Sequence, residues 1–254
     1  MKLTFLGTGT SHGVPVVGCQ CEVCRSKDPR DMRLRCSAIL ETESTRILID
    51  CGPDIRQQML TQPFQQINGV LITHAHYDHV GGLDDLRPFC KFGDIDLYAR
   101  QHTAETIRHN FPYCFVEHLY PGVPRFQLHT IVPHRQFRIG DIDILPFEVM
   151  HDKMPILGFR FGKLTYITDM KYLEDKELPY LQGTETLIVN ALRWERPHHS
   201  HQLVKDAVDF AHRIGAHQTY LIHVTHEIGL IDSANARLPQ DVKVAYDGLT
   251  LNIK

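Results

Sequence analysis

The sequence predicts an α/β protein in which two mixed β-sheets pack face to face with helices on the outer faces, an αββα sandwich. Three observations predict it. Short apolar runs bounded by turn residues cluster in both halves of the chain, and each cluster is followed by one or two stretches of helical spacing. No repeat, linker or low-complexity tract interrupts the 254 residues, so one domain spanning 1–254 is expected. Several apolar runs end on His or Asp, where folds commonly hold functional groups on loops.

Composition narrows the function. Hydrophobic residues make up 43%, enough for a sizeable core. The net charge of −3 and a pI near 6.6 lack the basic excess of a general nucleic-acid binder, so nucleic acid is not the expected partner. The 17 His fit metal chemistry. The seven Cys are odd in number and three crowd into Cys19–Cys24, which suits a reduced compartment and a metal site better than a disulfide framework. Met1–Gly7 has no long apolar core of a signal peptide, and no apolar run approaches a membrane span. The expectation is a cytoplasmic enzyme that makes no membrane contact, with a homodimer left open.

The elements follow in order. Leu3 and Phe5 begin a first strand, ended by Gly7-Thr8-Gly9-Thr10-Ser11-His12-Gly13. Those glycines are spaced one residue too widely for a dinucleotide fingerprint, and no amphipathic helix follows. A turn that brings backbone close to a metal site fits better. Ser37–Leu40 and Arg46–Asp50 read as a hairpin, and Pro53–Leu60 as a helix with Pro in an early position. Gly69–Thr73 is a buried strand, Leu83–Phe92 a short helix, Ile95–Tyr98 a strand and Gln101–Asn110 a helix. Phe111–Pro133 has four Pro, scattered aromatics and no clean period; a rim over the substrate and a packed surface insertion are equally weighted. Arg138–Val149 alternates as two strands around Gly140-Asp141, and Ile156–Thr168 as a hairpin around Gly162. Leu187–Asn190 is another buried strand. Leu203, Val204, Ala207, Val208, Ala211 and Ile214 mark a helix, with Ser200 as N-cap and Gly215 as stop. Thr219–Ile222, Val242–Ala245 and Leu249–Ile253 are closing strands.

The chemistry concentrates in Thr73-His74-Ala75-His76-Tyr77-Asp78-His79. Four strong metal-ligand side chains fall between His74 and His79, just past a buried strand. In extended chain His74, His76 and Asp78 would share one side, and His79 would join them only if the chain turns, for which Gly81-Gly82 gives room. Two imidazoles alone suit one ion; a carboxylate and a further His within the same loop suggest two. His151, Asp169 and His223 each stand at a strand end and are weak signals singly. Cys19, Cys21 and Cys24 suit a structural zinc that needs a fourth ligand from elsewhere; a redox pair and three unrelated thiols are the alternatives. Arg87, Lys91, Arg160, Arg193 and Arg196 could meet a phosphate or merely solvate the surface.

The H-x-H-x-D-H run resembles that of the metallo-β-lactamase-fold hydrolases. His74, His76, Asp78, His79, His151, Asp169 and His223 match, in order and rough spacing, the ligands of the tRNA 3′-processing endonuclease branch. That resemblance implies one metal on His74, His76 and His151, a second on Asp78, His79 and His223, and Asp169 bridging them. Gly7–Pro15, Gly18–Cys24 and Leu221–His226 extend the likeness over nearly the whole chain, to the cyclic-phosphate phosphodiesterases of the carbon–phosphorus lyase pathway. This second resemblance implies that His226 completes a structural zinc with Cys19, Cys21 and Cys24. It places the general acid at His201, near His198 and His199, although the flanking residues depart from the family's run. The catalytic pair would be manganese or zinc. Asp78 and His201 are the residues assigned to catalysis. The implied function is a phosphodiesterase for a small cyclic phosphate, a phosphoribosyl cyclic phosphate or a cyclic nucleotide, attacked by a hydroxide generated between the metals. The alternatives are a tRNA 3′-processing-type ribonuclease, for which no basic Gly-rich arm is found, and an oxidative cofactor-biosynthesis protein of the same fold, like that of pyrroloquinoline quinone assembly.

Overall fold

The computed structural model describes residues 1–116, 118 and 120–253. Its strands, in chain order, are β1 (Lys2–Gly7), β2 (Ser37–Glu41), β3 (Arg46–Ile49), β4 (Gly69–Leu71), β5 (Ile95–Ala99) and β6 (Phe126–Thr130), then β7 (Phe137–Ile139), β8 (Ile142–His151), β9 (Met154–Phe161), β10 (Leu164–Tyr166), β11 (Thr186–Asn190), β12 (Gln218–Ile222), β13 (Val242–Val244) and β14 (Thr250–Asn252). The α-helices are α1 (Ile55–Met59), α2 (Tyr77–Val80), α3 (Gln101–Asn110), α4 (Val204–Ile214) and α5 (Ile231–Ala236).

The described strands form two seven-stranded sheets, ordered β14-β1-β2-β3-β4-β5-β6 and β13-β12-β11-β10-β9-β8-β7. Both are mixed. β3 to β6 run parallel and β1 to β3 antiparallel in the first; β10 to β13 run parallel and β7 to β10 antiparallel in the second. The two final strands part company: β13 joins the second sheet and β14 returns to pair with β1.

Alternation along each strand builds three apolar layers. On β3, Ile47 and Ile49 face the second sheet while Leu48 faces the helices beyond the first. On β11, Ile188 faces inward and Leu187 and Val189 face α4. The middle layer is the large one, with Phe5, Phe159, Phe161 and Tyr166 fully buried between the sheets. Both faces of each sheet are covered, which is why the strands read as continuous apolar runs rather than strict alternation.

Leu83–Phe92 is helical as expected and takes 3₁₀ form; Pro88 in its interior lacks a backbone donor. Two expectations are corrected. Ser200 does not cap α4. Leu203 occupies that position, and Asp206 accepts its backbone N–H at 3.0 Å. Phe111–Pro133 is not merely aperiodic: β6 lies within it and extends the first sheet, with Cys114 and Phe126 buried in the core beneath. Glu117 and Leu119 of that segment lie outside the described residues.

Candidate metal centre

β4 ends at Leu71, and the ligand cluster begins three residues later. His74 and His76 sit on the connecting loop, and α2 then turns the chain so that Asp78 and His79 come from successive positions of a helix. The extended-chain alternation therefore does not reach Asp78; the helix brings it and His79 inward together. Gly81-Gly82 do more than loosen a turn. A side chain at Gly82 would strike the Gly52 carbonyl, and one at Gly52 the Asp78 carbonyl, so the two glycines allow α2 to press against the end of β3.

The other candidate ligands arrive from the second sheet: His151 ends β8, Asp169 follows β10 and His223 follows β12. The structure brings all seven together at one edge of the sandwich. Ligand atoms of His74, His76 and His151 lie within 4.8 Å of one another, as do those of Asp78, His79, Asp169 and His223. Asp169 joins the two groups. Its Oδ1 is 3.4 Å from His79 Nε2 and 3.3 Å from His223 Nε2, and its Oδ2 is 3.9 Å from His74 Nε2. Asp78 Oδ2 is 3.3 Å from His79 Nε2 and 3.5 Å from His223 Nε2. Ligand atoms around a four-coordinate ion with bonds of about 2.0–2.2 Å stand about 3.3–3.6 Å apart. The buried His79 Nε2 has no hydrogen-bond partner, and it faces these carboxylates. Nitrogen and oxygen donors in this arrangement fit two divalent ions.

Two of the rings, His79 and His151, are held from behind. His79 Nδ1 is 2.7 Å from Asp50 Oδ2, and His151 Nδ1 donates to the Asp169 and Ser200 carbonyls at 2.7 and 3.0 Å. These bonds leave Nε2 of both rings facing the site. Asp50 is the residue that sequence reading missed. It is fully buried at the end of β3, takes the Thr73 backbone N–H at 2.9 Å and also takes the Thr73 hydroxyl. The available signal was a carboxylate closing an otherwise apolar strand. Asp50, Asp169 and His223 all adopt left-handed backbone, with φ of 59°, 54° and 53°. Such strain costs roughly 1–3 kcal/mol per residue and concentrates at functional sites.

The charges are coupled. Burial pushes the Asp169 and Asp78 carboxyls up, but neighbouring His79, together with His223, more than reverses this and holds both well below the usual carboxylate range. Burial works against a charge on His79, yet Asp78, Asp169 and Asp50 keep it protonated well above its ordinary range. A buried cationic imidazole among three carboxylates marks a pocket of excess negative charge, which divalent ions would neutralise.

Of the three clustered histidines, His201 is the one at the centre. It is buried, and its Nε2 is 3.9 Å from Asp169 Oδ2. His198 stacks on its far face at 4.9 Å, and the exposed His199 lies tilted against His198 at 4.4 Å. Burial, followed by the proximity of His223, lowers His201 to about 3. The basic candidates are occupied elsewhere: Arg87 pairs with Asp84, Arg160 donates to the Gly162 and Tyr180 carbonyls, and Arg193 and Arg196 both pair with Glu227. Lys91 is exposed on the 3₁₀ helix.

A second cluster lies apart. Ligand atoms of Cys19, Cys21, Cys24 and His226 also fall within 4.8 Å of one another, and all seven cysteines are free thiols. His226 Nδ1 is 3.3 Å from Cys19 Sγ and 3.1 Å from Cys21 Sγ. Burial opposes the Cys21 thiolate, but the Cys24 backbone N–H and His226 favour it and bring the thiol to about 6. Three thiols and an imidazole fit one tetrahedral zinc.

Comparison with known proteins settles the family. The model of the Beta-lactamase superfamily domain matches residues 45–224. The chain belongs to that superfamily. The crystal structure of a new diphosphatase from the PhnP family superposes with a TM-score of 0.92 at 34% identity, covering 100% of this chain and 98% of that one, which places the protein in the PhnP family. Zn²⁺-bound PqqB from Methylobacterium extorquens shares the fold, with a TM-score of 0.76 at 20% identity over the whole of both chains. An octanoyltransferase of Porphyromonas gingivalis (strain ATCC BAA-308 / W83) is 41% identical over 250 residues, 98% of this chain but 51% of its own length. The PhnP-family chain thus spans about half the length of that curated relative. No helix among the described residues is long and apolar enough to cross a membrane.

Proposed function

We propose that this PhnP-family protein is a metal-dependent hydrolase of small phosphodiesters, with cyclic phosphates as the first class to test. The observation that supports it most is Asp169, whose two oxygens face two separate and complete groups of ligand atoms. His74, His76 and His151 would hold one divalent ion, and Asp78, His79 and His223 the other. Such a pair, manganese or zinc, supplies a water-derived nucleophile near neutral pH and offsets charge on a phosphoryl oxygen.

The chain's own residues then divide the remaining work. Asp50 and the carbonyls of Asp169 and Ser200 fix the rings of His79 and His151 before substrate arrives. His201 stands beside Asp169, where a phosphate anion would favour its imidazolium and let it pass a proton to a departing alkoxide. Cys19, Cys21, Cys24 and His226 would hold a structural zinc that ties the N-terminal loop to the loop after β12. About half of the 41% identical relative has no counterpart here, so its activity as a whole protein is not carried over.

The test is hydrolysis of bis(p-nitrophenyl) phosphate by protein reloaded with manganese or zinc, beside Asp169→Ala, followed by a panel of cyclic phosphates and diphosphates. Turnover lost in the variant supports the reading. Two bound ions without turnover would sink it. His201→Ala should slow alkyl esters far more than nitrophenyl esters, since nitrophenolate leaves without a proton; equal slowing would remove the acid role.

A further inference from the structure

β11 ends on Asn190, a fully buried polar side chain that closes an otherwise apolar strand. Its amide clamps the backbone of Met170 at two points. Oδ1 accepts the Met170 N–H at 2.7 Å, and Nδ2 donates to the Met170 carbonyl at 2.9 Å. Met170 follows Asp169, whose left-handed backbone turns the chain away from the line of β10. Up to that turn β10 is paired with β11, and Ile167 still donates to the Ile188 carbonyl at 2.8 Å. Three residues further on, the Asn190 side chain offers Met170 the donor and the acceptor that a neighbouring strand would have offered.

The same clamp reaches His201. Gln202 is buried; its Nε2 donates to the Asn190 carbonyl at 2.8 Å, and its backbone N–H to the Met170 carbonyl at 3.2 Å. Three successive carbonyls of this loop are taken. That of Ser200 accepts from His151 Nδ1 at 3.0 Å, that of His201 from Lys171 Nζ at 3.2 Å, and that of Gln202 from the Leu192 N–H at 3.0 Å. The ring itself lacks such support: among the described residues, buried His201 Nδ1 has no hydrogen-bond partner. His79 and His151 are oriented through their own Nδ1, whereas His201 is oriented through its backbone.

We propose that Asn190, Gln202 and Lys171 are positioning residues that set His201 against Asp169. One buried brace then places both the carboxylate between the two ligand groups and the proton donor beside it. The inference rests on the phosphodiesterase reading and deepens it, by naming what holds the donor in line. A displacement of about 1 Å at a reacting group can cost on the order of 10²-fold in rate. Here the loss would fall on the step that protonates the leaving group.

Gln202→Leu and Lys171→Met test it, since each removes one bond of the brace and keeps every metal ligand. In metal-loaded protein, hydrolysis of an alkyl phosphodiester should fall about tenfold further than that of bis(p-nitrophenyl) phosphate, a part of the ~10²–10⁴-fold that a positioned proton donor contributes. Lys171→Arg keeps a donor and should recover most of that difference. In crystals of Gln202→Leu, His201 Nε2 should stand farther from Asp169 Oδ2 than its present 3.9 Å, with Asp169 in place. Equal slowing of the two esters in both variants overturns the proposal, and so does an unmoved His201. Asn190→Ala frees Met170 as well, so it should also weaken metal binding by roughly 10–100-fold; undiminished metal affinity removes Asn190 from the brace. If that variant does not fold, the other two decide. The phosphodiesterase reading fails separately, by absence of turnover of either ester with wild-type protein, and the position of His201 in Gln202→Leu then decides the brace.

Discussion

The two ligand clusters are built on opposite principles. Around the catalytic candidates, His79, His223, His74 and Asp169 are nearly or wholly buried, each at the end of a strand or on the helix pressed against one, and several are braced by a further hydrogen bond. Around Cys19, Cys21, Cys24 and His226 the chain is half exposed; Val23 is the buried apolar residue of that loop. The first site is shaped by the two sheets, and the metals would enter a cage already made. The second has little apolar surface to order it, so the ion would supply much of the local folding energy itself.

Breaking the cage should have the largest effect. Asp169→Ala removes the group that joins both ligand sets; activity with loaded protein should fall by more than the ~10²-fold typical of an outer-shell loss, and metal analysis should show fewer ions per chain. Asp50→Ala leaves every ligand in place but frees the His79 ring. Activity or metal affinity should drop roughly 10–100-fold, as titration with manganese would show. Unchanged affinity would mean that the sheets alone fix the ring.

Cys24→Ser sharpens the other side of the contrast. Residues 15–24 should lose hydrogen-exchange protection and one zinc should be lost, while the catalytic ligands stay ordered and activity falls only a few-fold. A collapse of activity to the level of Asp169→Ala would show that the thiolate site shapes the catalytic one.

The smallest effect concerns the base of that loop. Asp247 accepts from the Thr8 hydroxyl and the Leu34 backbone at 2.7 Å each. Burial pushes its carboxyl from 3.8 up to about 6, against the pull of those bonds. The folded protein therefore keeps a proton that the unfolded chain has released, and stability falls as pH rises from about 4 through about 6. The stability of Asp247→Asn relative to wild type should rise across that window in urea titrations. A flat difference would contradict the shift.

Much of this was legible in the chain. The H-x-H-x-D-H run, the strand-end positions of His151, Asp169 and His223, and the Cys19–Cys24 spacing all follow from residue type and periodicity, because ligand chemistry and buried strands both leave local marks. What failed was also local. Asp206 moved the cap of α4 to Leu203, and β6 was hidden in a stretch whose strand is exposed on one side and carries polar residues.

The sequence by itself determined the set of candidate ligands and the class of the fold. Residue type and spacing are written in the chain itself, and apolar periodicity reports burial directly. Only the tertiary structure decided that β13 and β14 part to different sheets, that Asp50 stands behind His79, and that His201 rather than His198 or His199 reaches Asp169. Each of these joins residues far apart in the chain, and nothing within a single stretch records which distant surface it will meet.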